Sequence, residues 1–415
     1  MKKKRKHTQS REGHASPAGK QGGAEVVEVT IERILPGGAG LAHAQGRTLL
    51  VALAAPGDHL RARVERVQGR VAFASIEEIL SPSPVRVEPP CPYFGRCGGC
   101  DFQQLSYEAQ LASKVEIIRD CLRRIARIDF TGEIPMTASP NIWRYRARAQ
   151  WQHDSLKKRL GYFERASHRV CDVASCPVLV PELEATLESL RGQMKEGSLP
   201  DELTELQAVA GDDGQVSLAP PVPEHPTREV GRFVAGHRYR FSAEGFFQIN
   251  HELLEPLIAA ATKDARGETA VDLYCGAGLF TLPLAQSFGR VYGVEASNAA
   301  ISYARRNLED AGLGGVTFEA ARVGDWLKEN GAGLAPVDFV LLDPPRAGAE
   351  EGSVEGILAL KPRHLAYVSC DPATLARDLK VLTAGGYRLE TVAAFDMFPQ
   401  THHVETVAHL SGDLP

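Results

Sequence analysis

The sequence predicts a multidomain protein: an N-terminal OB-like β-barrel, a central α+β unit gathered around clustered cysteines, and a C-terminal α/β, Rossmann-like domain. Three observations carry that expectation. Its 415 residues exceed what a single core usually serves. Short β-rich runs separated by turn residues fill residues 24–80. From about residue 266 onward, short apolar runs alternate with amphipathic helical stretches, the pattern of a mostly parallel, doubly wound sheet.

Composition narrows the class. With 43% hydrophobic and 24% charged residues the chain reads as globular, and no apolar run approaches the ~20 residues of a membrane helix. No apolar signal core opens the sequence, so the expectation is a cytoplasmic protein, without a membrane partner and monomeric. Eight cysteines are too few for a disulfide scaffold in a chain this long, which directs attention to metal binding or catalysis. The net charge of −5 conceals an asymmetry: residues 1–23 hold seven Lys/Arg and one Glu, leaving about −11 on the rest. That tail reads as disordered. It is either a salt-sensitive attachment to a polyanion or a solubilising extension.

Within 24–80, "EVVEVTIERI", "RTLLVALA" and "HLRARVERVQGRVAFASIEEIL" are the strand-like runs, with turn signals at Pro36-Gly37-Gly38, Pro56-Gly57 and Gln68-Gly69. Five short strands of this kind predict an OB-like barrel, a shape that often binds oligonucleotides but also serves as a spacer. The Pro-rich "SPSPVRVEPP" then opens a central unit over 81–240. Residues 106–127 predict a helix: Leu111, Val115, Ile118, Leu122 and Ile125 recur at helical spacing, with Ser106 as N-cap and Cys121 a buried small residue. In "WRYRARAQWQ", Arg144, Arg146 and Arg148 alternate with aromatic and small residues. They predict a strand face that either tracks phosphates or is simply solvated.

The residues that carry chemistry fall mainly in 241–415. "VDLYCGAGLF" places an acidic residue at a strand end, then Gly276 and Gly278 before a helix, so the backbone can approach a ligand closely. Glu295 ends the next strand, where a carboxylate can accept both hydroxyls of a ribose. No third glycine follows, which fits S-adenosylmethionine better than a dinucleotide. "LLDPPR" sets Asp343 on a rigid turn at the carboxyl edge of the sheet. Cys370, in "YVSCDPATLARDL", follows a strand and precedes a helix, so a lowered thiol pKa is expected; a thiol that merely packs is the competing reading. Activating carbon 5 of uracil requires a thiol that adds to carbon 6 and a base that later removes the carbon-5 proton. Glu405, in an apolar strand, is the candidate base, and His402 and His403 are its rivals.

Upstream, "CPYFGRCGGCDFQQL" holds Cys91, Cys97 and Cys100 in a C-x5-C-x2-C spacing. Three ligands call for a fourth. Spacing alone leaves zinc and an iron-sulfur cluster both open.

Together these motifs resemble the RNA 5-methyluridine methyltransferases, in particular the iron-sulfur-containing 23S rRNA uracil-5 methyltransferases. The resemblance spans nearly the whole chain. It implies a TRAM (OB-like) RNA-binding domain, a cluster-bearing central domain and a class I SAM methyltransferase domain. It implies Cys370 as nucleophile and Glu405 as general base, and it assigns Gln248 in "FFQIN", Tyr274, Glu295 and Asp343 to S-adenosylmethionine. Cys176, followed by Pro177, matches the family's fourth cluster ligand, whereas Cys171 does not, which implies a [4Fe-4S] cluster on Cys91, Cys97, Cys100 and Cys176. The sequence departs from the family at Asp371, where Asn is usual. The implied partner is RNA, with 23S rRNA the leading substrate. The alternatives are the same chemistry on a tRNA uridine, a non-catalytic RNA-binding assembly factor, or an iron-sulfur redox protein.

Overall fold

The computed structural model describes residues 25–412; the basic tail of residues 1–23 lies outside them. Among the described residues no helix is long and apolar enough to cross a membrane.

The N-terminal region is a six-stranded sheet, where the sequence led us to expect five strands. "EVVEVTIERI" divides into Val26–Thr30 and Arg33–Ile34, and Gly40–Ala44 adds a strand that its Gly, Ala and His residues concealed. Gly37 and Gly38 carry positive φ in the turn between the last two, and Arg33 pairs with Leu41. Val26–Thr30 stands at one end of the strand order and Arg33–Ile34 at the other, with no ladder joining them. Val29, Ile31, Leu49, Val51 and Leu60 form this region's own core.

The long helix runs Tyr107–Cys121 and continues as one π-helical turn, Leu122–Ala126. The Ser106 hydroxyl accepts from the Ala109 amide, and Arg127 ends the helix in the left-handed region. Ile117, Ile118, Cys121 and Leu122 join the core of the C-terminal sheet, so the helix is part of that layer. Lys114, fully buried, pairs with the equally buried Asp396, which also accepts from the Tyr107 hydroxyl. Removing one partner of such a pair costs about 3–5 kcal/mol, because the other charge is left buried and uncompensated.

The central region contains a five-stranded antiparallel sheet and the helix Pro181–Glu196. Here the expectation for the arginines changes. The regular strand begins only at Arg148, and residue 146 is held between two neighbouring segments, bridging Leu179 on one side and Asn250 on the other. With partners on both sides, this segment is not a solvated edge. Arg146 therefore turns inward, its guanidinium 5.9 Å from the Tyr162 ring centre, and Arg148 donates to the Gly245 carbonyl and to Gln207. Only Arg144 is exposed, so the three do not form one phosphate-facing row.

The C-terminal sheet has eight strands. Their order is Val316–Ala320, Phe288–Glu295, Gly267–Leu273, Phe339–Leu342, His364–Ser369, Glu405–Gly412, Tyr387–Phe395 and Met136–Thr137. The first five are parallel, while Glu405–Gly412 inserts antiparallel to both its neighbours. Residues 269–273 and Phe339–Leu342 are buried, packed on both faces as a central parallel strand must be.

Candidate active site

The parallel strands bring their carboxyl ends to one edge, and the loops leaving that edge carry most of the candidate residues. After Leu273 the chain turns sharply: Tyr274, Gly276 and Gly278 all have positive φ. At Gly278 a side chain would be strained by that backbone and would also meet Leu282 at 3.2 Å. Glu295 reaches back across this turn. One of its oxygens accepts from the Gly276 amide at 3.3 Å and the other from Ser297 at 2.8 Å. Asp343, beyond Phe339–Leu342, accepts from the Gln248 side-chain amide at 3.3 Å, which joins two residues 95 positions apart. Gln248, Glu295 and Asp343 thus gather about the glycine turn. Tyr274 stands at the same edge with its hydroxyl tied to Ser353 and accepting from the Glu350 amide. Cys275 is buried against Gly293 and Phe318.

A further carboxylate belongs to this group. Asp272 is fully buried and accepts from the Thr281 hydroxyl at 2.5 Å, and its second oxygen has no partner. Burial pushes its carboxyl up to about 7, aided by Asp343 and Glu295. Burial likewise pushes Asp343 up to about 7. Such a pocket favours a cation that relieves crowded carboxylates. The cue in the sequence was an acidic residue within an otherwise apolar strand.

Cys370 and Glu405 come together through strand register. Ser369 and Thr406 are the last pair of the antiparallel ladder, so the chain leaves the strand at Cys370 beside Glu405, whose charge acts on the thiol. Glu405 is buried, and burial, with the Asp343 charge, holds its carboxyl well above the ordinary range, while Arg346 opposes the shift. One Glu405 oxygen has no hydrogen-bond partner.

The Cys370 thiol behaves opposite to expectation: burial pushes it up to about 12, and Glu405 and Asp343 add to the shift. The helix Pro372–Ala384 does start beside it, but the Asp371 carboxylate caps that start, accepting from the Ala373 and Thr374 amides. The donors that would have lowered the thiol are already engaged. Arg346 is the cation that opposes the shift, and it is exposed. Nothing in the spacing of the sequence marked Arg346.

The rival histidines are otherwise placed. His402 Nδ1 lies 2.5 Å from an Asp101 carboxylate oxygen. His403 is pushed down to about 3 by burial and the neighbouring cations, so it is neutral at physiological pH.

Cys91, Cys97, Cys100 and Cys176 line one cavity together with Arg146 and Tyr162. All four thiols are free. Burial pushes Cys97 and Cys100 up to about 12 and raises Cys176, with Arg146 opposing the shift at Cys100 and Cys176. Cys171 lies behind the cavity, in register with Tyr162 and accepting from Arg96 Nε at 3.3 Å. Among the described residues no group of three or more His, Cys, Asp or Glu is arranged to hold a metal ion.

The family pattern described as tRNA (Uracil-5-)-methyltransferase matches residues 233–412. Over 93% of both chains, the sequence is 34% identical to the 23S rRNA (uracil(1939)-C(5))-methyltransferase RlmD of Pectobacterium atrosepticum. It is 34% identical to an uncharacterized RNA methyltransferase of Halalkalibacterium halodurans, over 93% of this chain and 97% of that one. Among solved structures, the Pyrococcus abyssi tRNA (uracil-54, C5)-methyltransferase in complex with S-adenosyl-L-homocysteine superimposes with a TM-score of 0.71 at 27% identity. The match covers 92% of this chain and all of that one.

Proposed function

Because the chain belongs to the tRNA/rRNA uracil-5-methyltransferase family and is an S-adenosylmethionine-dependent RNA uracil-5-methyltransferase, we propose that it methylates carbon 5 of a uridine in 23S rRNA through a transient bond between Cys370 and the base. The observation that carries the chemistry is the register that faces Cys370 with Glu405. The similarity over 93% of the chain to an enzyme named for 23S rRNA favours that substrate.

Gln248, Tyr274, Glu295 and Asp343 would hold S-adenosylmethionine, whose sulfonium offers a methyl group and a positive charge. The unpartnered Asp272 oxygen and the raised Asp272 and Asp343 carboxyls suit such a cation. The target base must leave its stack to expose carbon 6. The Cys370 thiol gives up its proton to solvent, the resulting thiolate adds to carbon 6, and the carbon 5–carbon 6 pair moves into an enolate at O4. Carbon 5 then takes the methyl group, and the donor departs as the neutral thioether. Glu405 removes the carbon-5 proton; that bond's electrons restore the double bond, and the carbon 6–sulfur pair returns to Cys370. Burial gives the Glu405 carboxylate high basicity, as this last step requires.

We also infer a [4Fe-4S] cluster on Cys91, Cys97, Cys100 and Cys176. Four free thiols around a single cavity, with the Arg146 guanidinium beside them, form a suitable donor set for an anionic cluster. Iron and sulfide analysis of anaerobically purified protein tests this, and stoichiometric zinc in their place would overturn it. The N-terminal sheet is read as the TRAM-type RNA-binding unit.

Mapping 5-methyluridine in rRNA and tRNA from a strain lacking the gene tests the substrate. Loss from one 23S rRNA position supports it, and loss from tRNA alone transfers the same chemistry to tRNA.

A further inference from the structure

The loop that leads into Glu405 is held almost entirely by residues from the first 150 positions. It joins Tyr387–Phe395 to Glu405–Gly412. Lys114 Nζ donates to the Phe398 carbonyl, and the Tyr145 hydroxyl donates to the Pro399 carbonyl at 2.9 Å. Gln400 has a positive φ, and Gln110 grips it twice, accepting from its amide and donating to its side chain. The main-chain amides of Asp101 and Phe102 both donate to the Gln400 carbonyl, at 3.1 and 3.0 Å. The Asp101 carboxylate then accepts from the His402 amide at 2.8 Å through one oxygen, and faces His402 Nδ1 at 2.5 Å through the other. Gly38 of the N-terminal sheet closes over this contact, where a side chain would meet Asp101 at 2.9 Å and His402 at 3.2 Å.

We propose that Asp101 is a positioning residue: its two-point grip on His402 fixes the backbone that delivers Glu405 to Cys370, and so couples the cysteine segment to the base. Three features support this. Asp101 directly follows Cys100, a residue of the four-cysteine cavity. His402 lies three residues before Glu405. Both oxygens of the carboxylate are used on a single residue, which neither a serine nor an alanine would reproduce. The proposal rests on the reading of Glu405 as base. It adds that the cysteine region acts on catalysis mechanically, through a defined carboxylate, and not only by holding RNA.

The test separates two steps of a single turnover on RNA carrying tritium at carbon 5 of uridine. Methyl transfer from labelled S-adenosylmethionine reports carbon–carbon bond formation, and tritium release reports removal of the carbon-5 proton. Asp101→Ala should slow tritium release about 10- to 100-fold relative to methyl transfer, the scale of a misplaced catalytic group. S-adenosylmethionine affinity and bound iron should stay at wild-type levels. Asp101→Asn keeps an acceptor for the His402 amide and should be intermediate. Glu405→Gln is the control. If it stalls and both Asp101 variants release tritium in step with methylation, the positioning claim alone fails. If Glu405→Gln does not stall either, the assignment of the base fails and this inference with it. Loss of cofactor binding or of iron in both Asp101 variants would make the residue purely structural and would overturn the proposal.

Discussion

Cys370 and Cys100 are pushed by burial to the same height, about 12, yet their surroundings differ in kind. Around Cys100 the neighbours are other thiols, Cys176 and Cys97, with Arg146 as the opposing cation. Around Cys370 they are carboxyl groups, Glu405, Asp343 and Asp371, with Arg346 opposing. On the cluster proposed above, the first set would lower its energy by ionising several thiols together onto shared iron. The second holds the thiol and the Glu405 carboxyl above their ordinary ranges. Burial alone therefore does not distinguish a ligand from a nucleophile. The charge type of the neighbours does.

The comparison can be broken most directly at Cys370. Cys370→Ala should lower methyl transfer by about 10,000-fold or more, the scale on which a covalent nucleophile matters. S-adenosylmethionine affinity, measured by calorimetry, should change less than about twofold, since only the thiol is lost. Residual turnover near wild type would remove the thiol from the mechanism. Glu405→Gln should reduce turnover by about 100- to 10,000-fold. It should also accumulate an RNA–protein adduct that survives denaturing gels, and a clean gel with slow turnover would return attention to His402.

In the other region, Cys176→Ser should lose most bound iron and lower the unfolding midpoint by roughly 5 °C. Cys171→Ser, whose thiol accepts from Arg96 outside the cavity lining, should retain the iron. Equal loss from both would erase the distinction between lining the cavity and backing it.

The smallest effect concerns the raised carboxyls at the glycine turn. Asp272 and Asp343 are raised to about 7 in the fold, against ordinary values near 4, so between those limits the folded chain holds protons that the unfolded chain has released. Their contribution to stability is full below about pH 4 and falls as pH rises to about 7. Thermal melts of the ligand-free enzyme at pH 5 and pH 8 should therefore differ less, by roughly 2–4 °C, in Asp272→Asn than in wild type. An identical slope would mean that Asp272 is already ionised at low pH.

Local sequence signals determined a good deal. The glycine turn after Leu273, Asp343 before two prolines, Ser106 as a helix cap and the C-x5-C-x2-C run are short-range patterns. Their conformational meaning depends on backbone sterics and neighbouring hydrogen-bond donors, so they could be read without the fold. Strand count in the N-terminal sheet was less legible, because Gly40–Ala44 has weak β character and gains its place by pairing.

What only the tertiary structure decided are the relations that span the chain. Register faces Cys370 with Glu405. Neighbouring segments flank Arg146, whose side chain lines one cavity with the cysteines. Asp101 grips a loop 301 positions away. Each of these is a matter of burial and charge between groups brought close by packing. No local pattern encodes it, because the desolvation and Coulomb energies involved exist only once the partners share a low-dielectric interior.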